Sequence, residues 1–305
     1  MLQFTKKMTE LILLLLCVSF IAFMVPRLIP GDPARLFAGL DAPAEVVAAI
    51  RTEWGFDQPL VVQYWTFLTK ALQGDLGFSI HFKQPVMQEI LIRLPSSIEL
   101  AVAATAISVL IGVPLGIASA LHRRKLIDKV ATFSSILGIS TPIFVAGLCL
   151  MYIFSMRLGW FPASGRGSLS KLVLPALTLG LYNTALITRL TRSTMLDALN
   201  TDYIRTARAK GLSERVVIYK HALRNAILPV YTIVGLNIGY LIGSSVIIEA
   251  VFGRGGLGSV LVDAVKWRDY PLAQGSILAF AIVIILVNRF VDWSYPFVDP
   301  RIKGN

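Results

Sequence analysis

The sequence predicts an all-α, polytopic membrane protein with six transmembrane helices. Its 305 residues are 55% hydrophobic and only 15% charged, and the mean hydropathy is +0.68. Soluble domains carry about 25% charged residues, so this composition is typical of a chain embedded in lipid. The net charge of +11 does not predict nucleic-acid binding, because the charges lie at the ends of apolar runs.

Six apolar segments have lengths close to the roughly 20 residues that a bilayer requires: 8–25, 98–121, 130–156, 172–190, 230–252 and 272–291. The first resembles a signal peptide, but no small-x-small cleavage site follows it, so we expect an uncleaved helix. The fourth is interrupted by Pro175, Asn183 and Thr184. Such residues are tolerated where a helix faces other helices, so this segment is a candidate to line a pathway.

The charges of the short loops predict the orientation. The loops after the second and fourth segments hold more Lys and Arg than those after the third and fifth. Basic loops remain cytoplasmic, so both termini are expected in the cytoplasm. We predict an N-terminal tail and first helix at 1–25 and an extracytoplasmic segment at 26–97. A five-helix core follows at 98–298, which contains the cytoplasmic loop 191–229, and a cytoplasmic tail ends the chain at 299–305.

The extracytoplasmic segment contains two candidate amphipathic helices, at residues 43–54 and 59–73. In the second, one stripe is formed by Val61, Trp65, Leu68 and Leu72, with Tyr64 nearby. Aromatic residues in such a stripe are typical of a membrane interface. The helices either cap the outer mouth of the helix bundle or receive a partner protein, and the sequence leaves both open.

The loop at 202–229 has the most distinctive pattern in the chain. Its basic residues outnumber its two acidic ones, and they are Arg205, Arg208, Lys210, Arg215, Lys220 and Arg224. The apolar residues of this loop recur with helical periodicity, and Gly211 lies where the first helical pattern stops. We therefore predict two short helices that meet at Gly211, the second of which ends at Pro229, where a membrane segment begins. A polybasic loop that binds anionic lipid is one interpretation. Small residues at Ala207 and Gly211 favour a docking helix instead, because they let another protein approach the backbone.

Neither a metal site nor a catalytic site is predicted. Cys17 and Cys149 lie within apolar runs, and the three histidines are far apart, at His81, His122 and His221. The glycine-rich runs at 165–171 and 253–258 lack the spacing of a phosphate-binding loop. We therefore expect that this chain is not an enzyme, binds no cofactor and does not hydrolyse ATP.

The loop at 202–229 resembles the cytoplasmic EAA loop of ABC importer permeases, which fits a cleft on the ATPase subunit. The shared positions are Thr206-Ala207, Gly211 and Leu228-Pro229. The general motif has Glu where this chain has Arg205, and its Leu-Pro comes sooner. The sequences RTARAKG at 205–211 and HALRNA at 221–226 resemble those of the peptide/nickel branch of that family. Further similar stretches are PGDP, GDLGFS, LPALTLG, GLGSVLVDAV and RDYPLAQG.

The resemblance implies a type I ABC importer permease fold with a cytoplasmic coupling helix. It implies a permease subunit of an ATP-driven, binding-protein-dependent importer for short peptides, nickel or nickel chelates in a bacterial inner membrane. The implied partners are a homologous second permease, two ABC ATPases that hold ATP and Mg, and an extracytoplasmic substrate-binding protein. The implied ATPase-coupling residues are Arg205, Thr206, Ala207, Gly211, His221, Arg224, Asn225 and Pro229.

Polar residues inside membrane segments are candidates for the pathway, because they are costly in lipid. These candidates are Asn183, Asn237, Tyr240 and Glu249. Hydrogen bonding between neighbouring helices is the alternative role. Glu249 lies near the outer end of its segment, where it is also placed to meet water. Asp263 and Asp269 are candidates for an outer gate, through pairing with Arg254, Lys266 or Arg268.

Two other function classes are weighed against the importer. A secondary transporter or channel, independent of ATPases, predicts inverted repeats or an ionisable relay, and the sequence shows neither. An intramembrane enzyme needs a nucleophile–base pair or a metal cluster, yet all three histidines lie outside the predicted spans. The branch is known to carry short peptides, glutathione-like peptides, and nickel or its chelates. Few N and S ligands lie within the spans, so peptide is favoured over bare nickel as cargo, whereas a nickel chelate is not disfavoured by this argument.

Overall fold

The computed structural model describes residues 2–28, 32–39 and 41–298, and its regular structure there is helical, with an isolated bridge between Phe78 and Pro85. Pro30 and Gly31 of the PGDP stretch and the tail 299–305 lie outside the described residues. The α-helices are α1 Leu2–Arg27, α2 Pro33–Ala38, α3 Ala44–Glu53, α4 Leu60–Leu72, α5 Val86–Leu121, α6 Leu126–Ser140, α7 Ile143–Leu150, α8 Leu169–Leu199, α9 Asp202–Ala209, α10 Glu214–Val216, α11 Leu223–Val251, α12 Leu257–Lys266 and α13 Tyr270–Val298. Two π-helical segments, Met151–Arg157 and Val217–Ala222, continue α7 and join α10 to α11.

Five of the six predicted spans are confirmed as helices that are long and apolar enough to cross a membrane, counted over the described residues. Several begin earlier or end later than the hydropathy indicates. For example, α5 begins at Val86 rather than at residue 98, because the charged residues Glu89 and Arg93 form an i,i+4 salt bridge of 2.7 Å and the helix continues through them.

The third predicted span, 130–156, is wrong as a single helix. α6 ends at Ser140, and the pair Leu126–Ser140 and Ile143–Arg157 is bent by 107°. Thr141 precedes Pro142 and has an extended backbone, with φ −85° and ψ 125°. The ring of a proline excludes the helical conformation from the residue before it, so the helix stops there. Pro142 then provides the N-cap position of α7.

Proline does not interrupt the other segments in the same way. α8 continues through Pro175, as expected for a proline that is tolerated in a span packed against other helices. The prediction that the second helix after Gly211 is short and ends at Pro229 is wrong. The second helix begins at Glu214 and runs without a stop through Pro229 to Val251, as a helix of 38 residues.

The chain packs as two units, and the first comprises Met1–Ser97 and Gly255–Val283. Within it, α4 packs on α1 through Tyr64. The Tyr64 ring lies edge-on to Phe20 and Phe23, and its hydroxyl lies 2.8 Å from the Ser19 hydroxyl. Tyr64 thus turns inward, whereas Val61 and Trp65 of the predicted stripe are exposed.

The second unit comprises Ile98–Arg254 and Ile284–Asn305 and is centred on α8, whose buried face packs against α5, α6, α7 and α11. α5 approaches α8 closely through glycine. A Cβ on Gly116 would lie 2.5 Å from the Cβ of Thr191, and one on Gly112 would lie 2.9 Å from Cγ2 of Ile187. Small residues at such a crossing let two membrane helices pack backbone to backbone.

Candidate functional site

The short helix α9 is anchored to the second unit by its inward face. Ile204 is fully buried and Ala207 is 6% exposed. Both belong to a hydrophobic cluster that includes Ile117, Ala120, Met195, Ala198, Val217, Ala222 and Ala226. The small side chain of Ala207 therefore serves packing inside this chain, which corrects the interpretation that it leaves room for a partner. The packing fixes the orientation of α9.

The opposite face of α9 is exposed and basic. Arg205, Thr206 and Arg208 are all exposed, and Tyr203 is partly so. The contact of Arg205 with Asp202 is long, at 3.3 Å, between two exposed side chains. The Thr206 hydroxyl donates to the carbonyl oxygen of Asp202 in its own helix, at 2.9 Å. Arg205 and Arg208 thus give this face its positive charge.

Gly211 forms the corner after α9. Its φ is +77°, in the left-handed region that side chains of L-residues rarely adopt, and its N–H donates to the Arg208 carbonyl at 2.9 Å. Nothing lies within 4 Å of the position of a Cβ. Across the corner, Arg208 makes two hydrogen bonds to Glu214, of 2.7 and 3.2 Å. This carboxylate raises the pKa of Arg208 above its usual value, because the hydrogen bonds favour the charged guanidinium.

The second helix carries the remaining predicted coupling residues. His221, Arg224 and Asn225 are spaced i, i+3 and i+4, which places them on one side of the helix. Arg224, Asn225 and Pro229 are exposed, and His221 is half-buried. The π-helical segment that contains His221 packs in the same cluster as α9 through Val217 and Ala222. With the exception of Ala207, the predicted coupling residues therefore lie on an accessible surface.

A polar clamp that the sequence analysis missed lies in the same unit. Asp128 is 5% exposed and receives two hydrogen bonds from Arg192, of 2.5 and 3.0 Å. The Ser119 hydroxyl donates to it at 2.6 Å and the backbone N–H of Arg124 at 2.8 Å. The clamp joins the end of α5, the start of α6 and α8. In the sequence, Asp128 is the single acidic residue among the basic residues 123–129, and this pattern was the signal that could have identified it.

The pathway candidates lie in different environments. Asn183 is 1% exposed, and its amide donates weakly to the Leu179 carbonyl at 3.4 Å. Asn237 is half-buried, and its amide nitrogen has no hydrogen-bond partner among the described residues. Glu249 is fully buried and accepts a hydrogen bond from the Ser245 hydroxyl at 3.0 Å. Its position near the end of the helix suggested contact with water, and the burial of the side chain contradicts that expectation.

Tyr240 is the exposed member of the set. It is 53% exposed, and its ring is nearly parallel to that of Tyr182 on α8, with ring centroids 6.5 Å apart. Tyr182 was not among the predicted pathway residues, although it precedes Asn183. The two tyrosines place a pair of phenol groups at the packed boundary of α8 and α11.

The two outer aspartates also differ. Asp269 is fully buried and accepts hydrogen bonds from the Ser79 hydroxyl at 2.5 Å and from the backbone N–H groups of His81 and Leu272 at 3.1 and 3.2 Å. It therefore ties a loop to the start of α13, and the expected pairing with a basic residue is wrong for it. Asp263 lies 3.7 Å from Lys266, at the surface.

Arg254 was expected to pair with one of these aspartates. It instead forms a salt bridge of 2.6 Å with Glu99, and its own side chain is 2% exposed.

Comparisons with known proteins agree with this architecture. Residues 112–304 match the family described as the binding-protein-dependent transport system inner membrane component, and residues 1–101 match the N-terminal model of that transport system's membrane component. The glutathione transport system permease protein GsiC of Salmonella choleraesuis is 45% identical over 98% of this chain and 97% of its own length. GsiC of Escherichia coli K12 is 42% identical, with the same coverage.

Solved structures show the same fold. A chain of the inward-facing MetNI methionine ABC transporter superposes with a TM-score of 0.59 and 18% identity over 70% of this chain and 97% of that one. A chain of an amino acid ABC transporter with histidines gives a TM-score of 0.54, 17% identity, and coverage of 70% and 94%. Together with the match to the family model, these similarities establish that the chain belongs to the binding-protein-dependent transport system inner membrane component family, as a permease subunit of an ABC importer.

Proposed function

We propose that this chain forms half of the translocation pathway of an importer for short peptides of the glutathione type. The cargo follows from GsiC, whose name assigns it to glutathione transport and which is 45% identical over nearly the whole chain. Among the described residues, no group of three or more His, Cys, Asp and Glu could hold a metal ion, which favours a peptide over bare nickel.

We propose further that the exposed face of α9 and the corner at Gly211 dock on an ATPase subunit. The observation that carries this proposal is the division of α9 into two faces. Ile204 and Ala207 fix one face in the core, while Arg205 and Arg208 remain exposed on the other. A helix held in this way transmits a push from its outer face to α5, α8 and α11, which contribute to the same cluster.

The partners in this proposal are two ABC ATPases that bind ATP and Mg, a homologous second permease, and an extracytoplasmic substrate-binding protein. The proposed orientation places both termini and α9 in the cytoplasm of a bacterial inner membrane. Movement of the ATPases on ATP binding tips the helix bundle between inward-open and outward-open states. The faces with Asn237 and Tyr240 are the proposed contacts of the cargo on this chain.

Co-purification with Gly211→Asp tests the docking proposal. The full chain is expressed with the ATPase, permease and binding-protein genes beside its own, and the ATPases recovered with it are quantified. A charged side chain on the exposed corner should clash with the docking cleft, so we expect recovery to fall at least tenfold. Glutathione uptake by the same cells should fall with it.

Gly159→Asp is the matched control. Gly159 also has a positive φ, of 65°, and nothing within 4 Å of a Cβ, but lies in the loop after α7. The control imposes a similar backbone strain at a distant position, and it should leave ATPase recovery unchanged. Equal recovery with both variants would refute docking at the corner, and absence of ATPases from the wild-type chain would refute the importer assembly itself.

A further inference from the structure

A wide groove lies in the second unit among α5, α6, α7 and α8. Its volume is about 720 Å³, and its lining extends over both arms of the bend at Pro142. The lining is mostly aliphatic and contains no charged side chain among the described residues. It includes Ile111, Leu126, Val130, Leu137, Ile153 and Leu181.

The Thr188 hydroxyl in the lining is buried without a hydrogen-bond partner among the described residues, but four other hydroxyl groups are already used as donors within the groove. Ser135, Thr141, Thr178 and Thr184 line it, yet each donates to the carbonyl four residues earlier in its own helix, at 2.7–2.8 Å. Their hydrogen-bonding capacity as donors is therefore used. Apolar surface is stabilised by contact with other apolar groups, so a lining that is mostly aliphatic favours a hydrocarbon occupant.

Along α6 and α8, the length of the groove corresponds to one leaflet of a bilayer. On α6 the lining runs from Leu126 to Gly138, and on α8 from Thr178 to Thr188. At about 1.5 Å per residue these stretches span roughly 18 and 15 Å. The hydrocarbon core of a bilayer is about 30 Å thick, so one leaflet is about 15 Å. A conduit for cargo crosses both leaflets, whereas an acyl chain occupies one.

One end of the groove is strongly basic. The exposed residues at the turn before α6 and in its first turn are Arg123, Arg124, Lys125 and Lys129. Lys129 lies one turn from Leu126, which lines the groove, and one turn from Lys125. Asp128, the acidic residue of this stretch, is already paired with Arg192. The four positive charges at this end are thus uncompensated within the stretch.

We propose that this groove is a binding site for an anionic phospholipid. An acyl chain fills the groove, and the phosphate headgroup lies against Lys125 and Lys129. Basic residues beside a membrane surface attract anionic lipid by about 1 kcal/mol each, or roughly fivefold in affinity. The placement in the inner leaflet rests on the proposed orientation, and the lipid site itself does not.

Photo-labelling of the full chain tests this proposal. The chain is reconstituted in nanodiscs of equal parts phosphatidylcholine and phosphatidylglycerol, with a trace of phosphatidylglycerol that carries a diazirine on its acyl chain. Labelled peptides are mapped by mass spectrometry. We expect labelling of groove-lining residues on α6 and α8. Ser134→Phe, at an exposed lining position, should reduce it several-fold, whereas Ile136→Phe, exposed on α6 but not in the lining, should not.

A second set of variants tests the proposed contact of the lipid headgroup with Lys125 and Lys129. Lys125→Gln with Lys129→Gln should lower labelling about 25-fold, roughly fivefold for each of the two lost charges. The control pair, Lys171→Gln with Lys266→Gln, lies elsewhere in the chain and should have no effect. Circular dichroism of each variant reports whether it is folded.

Three results would overturn the proposal. Equal labelling by diazirine phosphatidylcholine would remove the role of the basic residues. Displacement of the label by glutathione would assign the groove to the transport pathway. Loss of the label when the chain is co-reconstituted with a second permease would assign the groove to a partner helix.

Discussion

Two ion pairs in the second unit have similar geometry and different surroundings. Arg192 contacts both carboxylate oxygens of Asp128, and Arg208 contacts both of Glu214. The side chains of the first pair are 30% and 7% exposed, whereas those of the second are 43% and 61% exposed. The first pair is also extended by Ser119 and by the backbone of Arg124.

The difference separates a structural role from a surface role. A buried carboxylate that loses its partner keeps its desolvation penalty, so the Asp128 clamp holds three helices together. An exposed pair exchanges its partner for water at little loss, so the Arg208–Glu214 pair is available to rearrange against another protein. Similar bond lengths thus do not imply similar contributions to stability.

The largest effect is expected from Arg192→Ala. It leaves Asp128 buried with only two of its four hydrogen bonds, so we expect a loss of about 3–5 kcal/mol in unfolding free energy. The measurement is thermal unfolding in detergent, followed by circular dichroism. Arg208→Ala is the matched control, and an equal loss in both variants would contradict the distinction between the two pairs.

An intermediate effect is expected from Gly116→Ala, which tests the helix crossing next to the clamp. Its Cβ would lie 2.5 Å from the Cβ of Thr191 and 2.8 Å from the Thr188 carbonyl oxygen, so α5 and α8 must separate. Overpacking of this kind costs about 1–3 kcal/mol. Gly138→Ala meets only an ordinary contact of 3.4 Å with Ala185 and serves as the control in the same unfolding assay. A smaller loss for Gly116→Ala than for Gly138→Ala would show that the two helices do not approach as described.

The smallest effect on stability is expected from Glu214→Gln. Water already screens this exposed pair, so the unfolding temperature should not change measurably. ATPase recovery and uptake are measured on the same preparation, because the substitution removes the charge that holds Arg208 across the Gly211 corner. A clear drop in unfolding temperature would place this pair with the clamp rather than with the docking surface.

Most of the elements that were predicted from the sequence are ones that a single local property decides. Apolar runs predicted the membrane segments. Gly211 predicted the corner, because a turn with a left-handed backbone favours a residue without Cβ, which is a local requirement. The bend at Pro142 was also local, yet the hydropathy of 130–156 concealed it. Pro175 was expected to be tolerated within its segment, and α8 does continue through it with one face buried against other helices.

The candidate sites were predicted less completely, since a residue type does not reveal its surroundings. Ala207 faces the core of its own unit rather than a partner. Asp269 caps α13 and holds Ser79, which lies 190 residues away in the sequence. Glu249 is buried beside Ser245 rather than exposed to water. In each case the position in the chain was known and the packing was not.

By itself, the sequence determined that this chain is a multi-span α-helical membrane protein with a basic loop, because hydrophobicity and charge act through the bilayer on each segment separately. Motifs spread along the chain determined the family in the same local way. Only the tertiary structure decided which face of α9 is free to dock, which acidic residue is held in a clamp, and where a groove remains open. These depend on contacts between segments far apart in the chain, whose energies no single segment contains.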